Sequence, residues 1–224
     1  MPKLMSQNEL LEKLHQGLTE LNCPLNRPQE LQLIRYIEHI AKWNKLFRLT
    51  TIRDLDTMVT RHLLDSLSIL SYIQGQTILD VGSGAGLPGI PLAIAMPDRQ
   101  FVLLDSNQKK TRFLQQTCYQ MHLRNVRVVH KLVEDYQPDS LFDSVVSRAY
   151  GTLHHYISSS QHLIKPGGQI LAMKGVYPLT ELQDLAAPFK LIETHPLKVS
   201  QLDAERHLIE LSYQPEMRKE TASA

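Results

Sequence analysis

Cysteine is scarce in this chain, with two in 224 residues. Cys23 and Cys118 lie far apart, and neither sits in a C-x-x-C or Cys/His ligand spacing. That excludes a disulfide scaffold and a cysteine metal centre, and leaves reduced, buried thiols as the expectation. Long apolar runs are missing too. None approaches the ~18 residues that a membrane-spanning helix needs. Met1 to Ser6 has neither the apolar run nor the small-residue cleavage site of a signal peptide, so a cytoplasmic chain with no membrane partner is expected. A dominant charge is also absent: 24 Lys and Arg against 23 Asp and Glu leave +1, so a nucleic-acid partner would have to be met by a local basic face. The ten histidines are scattered, apart from His154-His155. Adjacent positions on a helix point about 100° apart, a poor chelate, and no metal site is expected. There are no internal repeats.

One local basic face is available. Between Arg35 and Arg61 lie Arg35, Lys42, Lys45, Arg48, Arg53 and Arg61 against Glu38, Asp54 and Asp56, an excess of 6 − 3 = +3. A solvated helix face is the simpler reading of that run; a nucleic-acid contact is the sharper one.

An apolar fraction of 42% and this length suit one α/β domain with a small extension. Residues 1–75 read as an N-terminal helical extension. Ser6 and Glu9 form a capping box ahead of Leu10, Leu11, Leu14, Leu18 and Leu21. A second helix is predicted from near Pro28 and a third from about Asp56 to Ile73. Residues 76–214 change period. Strands are predicted at Thr77–Val81, Phe101–Asp105, Val126–His130, Phe142–Ser147, Gln169–Lys174, Leu191–His195 and His207–Tyr213. Helices are predicted at Ile90–Met96, Lys109–His122, Leu153–Leu163 and Pro178–Ala187. Alternating strands and helices imply a mostly parallel sheet covered on both faces, with the last two strands as an antiparallel edge hairpin. Residues 215–224 are expected to fray.

The segment Asp80-Val-Gly-Ser-Gly-Ala-Gly86 joins the first of these strands to a helix. Gly82, Gly84 and Gly86 let the backbone turn tightly and approach a ligand. A lone G-x-G is shared with dinucleotide oxidoreductases. Two details point elsewhere. Asp80, two residues before Gly82, would repel a pyrophosphate but suits the ammonium of a methionine moiety. Leu87 stands where the dinucleotide fingerprint wants glycine or alanine, and the Pro-rich helix start gives up N–H donors. Asp105, 23 residues past Gly82, stands where a carboxylate accepts ribose hydroxyls, although a turn or cap aspartate is the plainer alternative. The cofactor these features favour is S-adenosylmethionine, and seven strands on this plan match the Rossmann-like, class I fold of most methyltransferases that use it.

Several blocks then resemble one family. Lys42-Trp-Asn-Lys, Leu49-Thr50, Arg61-His-Leu-Leu-Asp-Ser66, Asp80 through Pro91, Leu103-Leu-Asp-Ser106, Ser147-Arg-Ala149, Lys174-Gly175 and Glu205-Arg-His-Leu208 are similar to the bacterial RsmG (GidB) family of 16S ribosomal RNA guanine-N7 methyltransferases. The likeness runs in order from about residue 40 to 213. It implies cofactor binding at Gly82, Leu87, Val133-Glu134 and Arg148, and small-subunit ribosomal RNA as partner. A monomer is expected. Leu87 would pack on the cofactor, Val133 would give adenine an apolar contact, and Glu134 would accept from its exocyclic amine; a surface acid is the alternative for Glu134.

The acceptor is constrained by what is missing. Cytosine C5 chemistry needs a cysteine at a strand end beside the cofactor loops. Exocyclic amines are usually served by an [Asp/Asn]-Pro-Pro-aromatic motif, where this chain has Ser147-Arg148-Ala149-Tyr150. A hydroxyl acceptor would want a placed general base. Guanine N7 presents a lone pair and needs none, which is compatible with this sequence. Arg148, at the opening of the fourth strand, is the candidate catalytic and cofactor-contacting residue, for the methionine carboxylate or guanine O6; a structural ion pair is its alternative. Lys174 and Arg206 are candidate RNA contacts, or else plain surface cations. Arg61 and His62 join them as substrate-side candidates, on a helix where Arg61–Asp65 and His62–Ser66 would face each other at i,i+4.

Overall fold

Ser6 opens the first helix as its sequence requires. Its hydroxyl accepts from the Glu9 N–H, and the Glu9 carboxylate accepts from the Ser6 N–H at 2.6 Å. The computed structural model describes residues 5–185 and 187–214; the tail expected to fray lies outside them. Helix α1 (Gln7–Glu20) packs Leu10, Leu11, Leu14 and Leu18 inward. Helix α2 (Arg27–Phe47) starts one residue before Pro28 behind a second reciprocal cap, Asn26 with Gln29. The third helix departs from expectation. After α3 (Leu55–Met58), capped by Asp54, the chain widens into a π-helix over Val59–Leu64, then makes α4 (Asp65–Leu67) and a 3-10 turn at Leu70–Tyr72.

The strands are β1 (Thr77–Val81), β2 (Gln100–Asp105), β3 (Val126–His130), β4 (Phe142–Arg148), β5 (Ile164–Lys174), β6 (Phe189–Pro196) and β7 (His207–Tyr213). They form one sheet in the order β3-β2-β1-β4-β5-β7-β6, parallel except that β7 runs against both β5 and β6. The expected edge hairpin is therefore present. Strand β5 begins five residues early because Ile164 pairs with Phe142 across a register shift. Helices α5 (Gly89–Ala95), α6 (Gln108–Gln120), α7 (Leu153–Ser160) and α8 (Leu179–Gln183) complete the set, α8 ending well short of the predicted Ala187.

Both faces of the sheet are covered, so its central strands are apolar at nearly every position. On one face Leu79, Val81, Val102, Leu104, Val145, Ile170, Ala172, Ile209 and Leu211 meet Leu153 and Tyr156 of α7. On the other, Leu103 joins a core shared by α1, α2, the π-helix, α5 and α6, while Ile78, Phe101, Val146, Leu171, Met173 and Leu208 pack under Ile69, Ile73 and Leu92. The N-terminal helices thus complete one layer of a three-layer sandwich. Both cysteines are free thiols, Cys23 buried and Cys118 only half-buried. Among the described residues no helix is long and apolar enough to cross a membrane, and no group of three ligating side chains could hold a metal.

Candidate functional site

Parallel strands leave their C-terminal ends at one edge of the sheet, and loops there form clefts. Two cavities open at that edge and share Ala149 in their walls.

The first, about 230 Å³, is lined by residues that include Gly82, Asp105, Lys110, Val133 and Tyr150. Gly82 has φ +68° and donates to the Leu104 carbonyl at 2.8 Å. A Cβ there would lie 2.5 Å from Tyr150 Cδ2, so the position needs glycine both for its backbone and for the ring beside it. Asp105 is 6% exposed. It accepts from the Gly84 N–H on one oxygen and from the Asn107 N–H on the other, both at 2.8 Å, and Lys110 Nζ stands 3.7 Å away. Each carboxylate oxygen keeps a further lone pair for the cavity. Val133 is buried in the wall, whereas Glu134, the next residue, is exposed and is not among the lining residues. Burial raises the Tyr150 phenol, and the Glu134 and Asp105 carboxylates add to the shift.

Two expected cofactor contacts are placed differently. Asp80 is fully buried and lines neither cavity. It points to the α5 side of β1, where its Oδ2 accepts from the Gly89 N–H at 3.0 Å, while Oδ1 has no partner among the described residues. The carboxylate clamps the first turn of α5 to the strand. Leu87 also lies below the loop, in the core with Ile90, Leu103 and Leu114, so its side chain is not in the cavity wall. Tyr36 of α2 ties the same turn to the helical layer, its buried hydroxyl donating to the Ala85 carbonyl at 2.6 Å.

The second cavity, about 400 Å³, is lined by the four substrate-side candidates Arg61, His62, Lys174 and Arg206, and by Arg148. Their pairings differ from that reading. In the π-helix the Asp65 N–H reaches back to the Thr60 carbonyl, five residues away. The wider turn moves Arg61 and Asp65 out of i,i+4 alignment. Asp65, 2% exposed, instead accepts from Arg148 Nη1 at 2.9 Å and from Arg206 Nε at 2.7 Å. Arg148 Nη1 also donates to the Arg61 carbonyl at 3.0 Å. His62 does not meet Ser66; its Nε2 lies 3.1 Å from Thr50 Oγ1, and Ser66 Oγ is buried without a partner among the described residues. Burial, helped by the nearby Arg148 charge, pushes the His62 imidazole down to about 4. Lys174 is not a loose cation: Nζ donates to the Gly151 carbonyl and to the Glu181 carboxylate, each at 2.9 Å.

Three contributors were not among the site candidates read from the sequence, where Asp65 figured only as a helix partner for Arg61. Asn44 donates to the Thr50 and Ile52 carbonyls and accepts from the Thr50 N–H, fixing the loop that carries Thr50, Thr51 and Ile52 into the cavity wall. Asp65 gathers two arginines from 83 and 141 residues away. Tyr150 had a signal: it holds the aromatic place of the Pro-Pro-aromatic motif that the chain otherwise lacks.

The family model described as GidB, rRNA small subunit methyltransferase G, matches residues 29–209. A curated protein of that name from Nitrosococcus oceani is 48% identical over 198 residues, 88% of this chain and 92% of the relative. Another, from Aeromonas salmonicida, is 44% identical over 208 residues, 92% of this chain and all of the relative. Among solved structures, a SAM dependent methyltransferase from Aquifex aeolicus superposes with a TM-score of 0.52 at 17% identity, covering 67% of this chain and 90% of that one. M. jannaschii TYW2 in complex with AdoMet gives 0.51 at 17% identity, covering 68% and 76%. At such low identity these structures speak for the fold.

Proposed function

The chain belongs to the GidB family of rRNA small subunit methyltransferases, and from that premise we propose that it transfers the methyl group of S-adenosylmethionine to N7 of a guanine in 16S ribosomal RNA. The cofactor supplies an electrophilic methyl on a sulfonium; the protein aligns an acceptor lone pair with it and excludes water.

The first cavity fits the nucleoside half of that cofactor. Asp105 offers its remaining lone pairs to ribose hydroxyls, Val133 offers adenine an apolar wall, and the exposed Glu134 beside Val133 would accept from the exocyclic amine, as the family resemblance implies. Gly82 and Gly84 let the loop backbone come close, with Leu87 and Asp80 holding that loop from below rather than touching the ligand. Ala149 is common to both walls, so the methyl would be delivered there, beside Arg148.

The observation that carries the acceptor assignment is how the second cavity's ionisable groups are engaged. Asp65 is spent on two arginines, Lys174 on Glu181, and His62 is held neutral with a pKa of about 4, too low for a base near neutrality. A hydroxyl or amine acceptor would need one of them to take a proton; N7 does not. Arg148, Arg206 and Arg61 remain as donors for guanine O6 and phosphates, and a donor on O6 favours loss of the N1 proton once the base is methylated. The arginines should avoid N7, whose lone pair must stay open.

Incubation with labelled S-adenosylmethionine and small ribosomal subunits lacking the modification, or their naked RNA, tests this. Label on a single guanine, released as 7-methylguanine, is expected. Transfer to neither substrate despite cofactor binding would sink the ribosomal RNA reading; label on another atom would sink the N7 assignment.

A further inference from the structure

Asp65 is nearly sealed from solvent, yet it is held by two cations of remote origin. Arg148 closes β4, and Arg206 immediately precedes β7. One carboxylate oxygen takes Arg148 Nη1 and the other takes Arg206 Nε. The remaining bonds of the two guanidiniums go to backbone carbonyls, those of Arg61 and Glu205. Neither Nη2 has a partner among the described residues, and both arginines line the cavity of about 400 Å³. Two positive charges against one negative leave an excess of +1 on side chains that are each only 21% exposed. A half-buried excess charge with unused donors is costly by itself and is relieved when an anion joins it. Planar guanidiniums held in a set orientation match the paired oxygens of a phosphodiester or carboxylate. Among the described residues lining the cavity no acid other than Asp65 competes for the two arginines.

We propose that Asp65 is a positioning residue that holds Arg148 and Arg206 as a twin-guanidinium cradle for an oxyanion in the transfer complex. Two sources offer that chemistry: the phosphodiester beside the target base, and the methionine carboxylate of the cofactor. The inference rests on the proposed transfer reaction.

Positioning and simple charge balance make opposite predictions. Asp65→Asn removes a negative charge, so if Asp65 only offset the arginines, an anion would bind the variant more tightly. If Asp65 aims them, the anion binds less well although the site is more positive. The test uses the whole protein and the variants Asp65→Asn, Asp65→Glu and Arg206→Lys. It measures melting, the Kd for S-adenosylmethionine, and kcat and KM on unmodified small subunits at saturating cofactor. Arg206→Lys keeps the charge and loses the fork, and as a partly exposed change it carries the test even if Asp65→Asn does not fold.

For a phosphodiester occupant, Arg206→Lys and Asp65→Asn raise the RNA KM about tenfold or more while cofactor Kd stays near parental. Asp65→Glu recovers part of the loss. For a methionine carboxylate the loss falls on cofactor Kd instead, and the cradle stands with that occupant. Parental values of both constants in the variants, or tighter binding in Asp65→Asn, would overturn the cradle. A parent protein that methylates no small-subunit RNA would refute the transfer reaction, a result distinct from an active parent with indifferent variants.

Discussion

Single side chains in this molecule carry burdens that their types alone do not announce. Asp80 is an acid whose side chain is completely buried. Burial pushes its carboxyl from 3.8 up to about 7, against the pull of the Gly89 N–H. The folded state therefore holds that proton more tightly than the unfolded chain does. The stability linked to it is complete below about pH 4 and is lost as pH rises through about 7. His62 has the opposite sign: lowered from 6.5 to about 4, it favours folding above 6.5 and loses that contribution as pH falls through about 4. Asp80→Asn removes the first effect and leaves the second. Melting followed from pH 5 to 8 should fall less steeply, or rise more, in the variant than in the parent; parallel profiles would mean that the carboxyl is not so perturbed. Gly82→Ala forces a left-handed residue against the Tyr150 ring. It should cost about 1–2 kcal/mol in denaturant unfolding from the backbone alone, and it should weaken cofactor binding as the ring shifts into the cavity. Arg148→Ala should lower transfer by ~10²-fold or more by loosening the reacting geometry, with the fold intact because Arg206 still faces Asp65. Near-parental turnover would remove Arg148 from the site.

At the scale of elements, the informative piece is the helical stretch from Leu55 to Leu67. Its apolar spacing announces a helix, and helix it is. Charges at positions 61 and 65 announce an i,i+4 pair, and that pair does not form. The π-turn rotates Asp65 away from Arg61 and toward the ends of β4 and β7. Nothing local in the sequence marks a π-turn; the two arginines that reward it are far away in the chain. Helix α2 shows the same division. Its start near Pro28 was read from the sequence, but its reciprocal cap at Asn26 and the reach of Tyr36 to the glycine loop were not. Tyr36→Phe leaves the Ala85 carbonyl without its buried donor, which should cost about 1–3 kcal/mol. It should also raise cofactor Kd by loosening a loop that is otherwise held from below. A stability loss with unchanged cofactor affinity would show that the helix supports the fold but not the loop.

For the molecule as a whole, the joining of both sites at one sheet edge makes ligand choice a global observable. A ligand that binds only the folded state adds about 2.7 kcal/mol at a concentration of 100 Kd. For a chain of this length that is worth ~2–4 °C of melting temperature per kcal/mol. S-adenosylmethionine should raise the melting temperature accordingly and NADH should not; the reverse result would discard the methyltransferase reading altogether. Asp80 and Leu87 pointed to this cofactor from the sequence, though by a route the structure alters. Both act from beneath the loop, one clamping the start of α5 and the other packed in the core.

Local chemistry was decided by the sequence itself: strand and helix periods, the cap at Ser6, the glycines of the turn after β1, and the family blocks around them. These depend on neighbours a few residues apart, so a linear reading reaches them. Partnership was decided only by tertiary structure. Asp105 turns one oxygen to Gly84, Lys174 pairs with Glu181, and Arg148 and Arg206 converge on Asp65. A buried charge takes whichever counter-charge the packed layers bring within hydrogen-bond reach, and sequence spacing does not fix that distance. The cleft that results, cationic and with its bases engaged, is the ground for proposing an acceptor atom that carries no proton when it attacks.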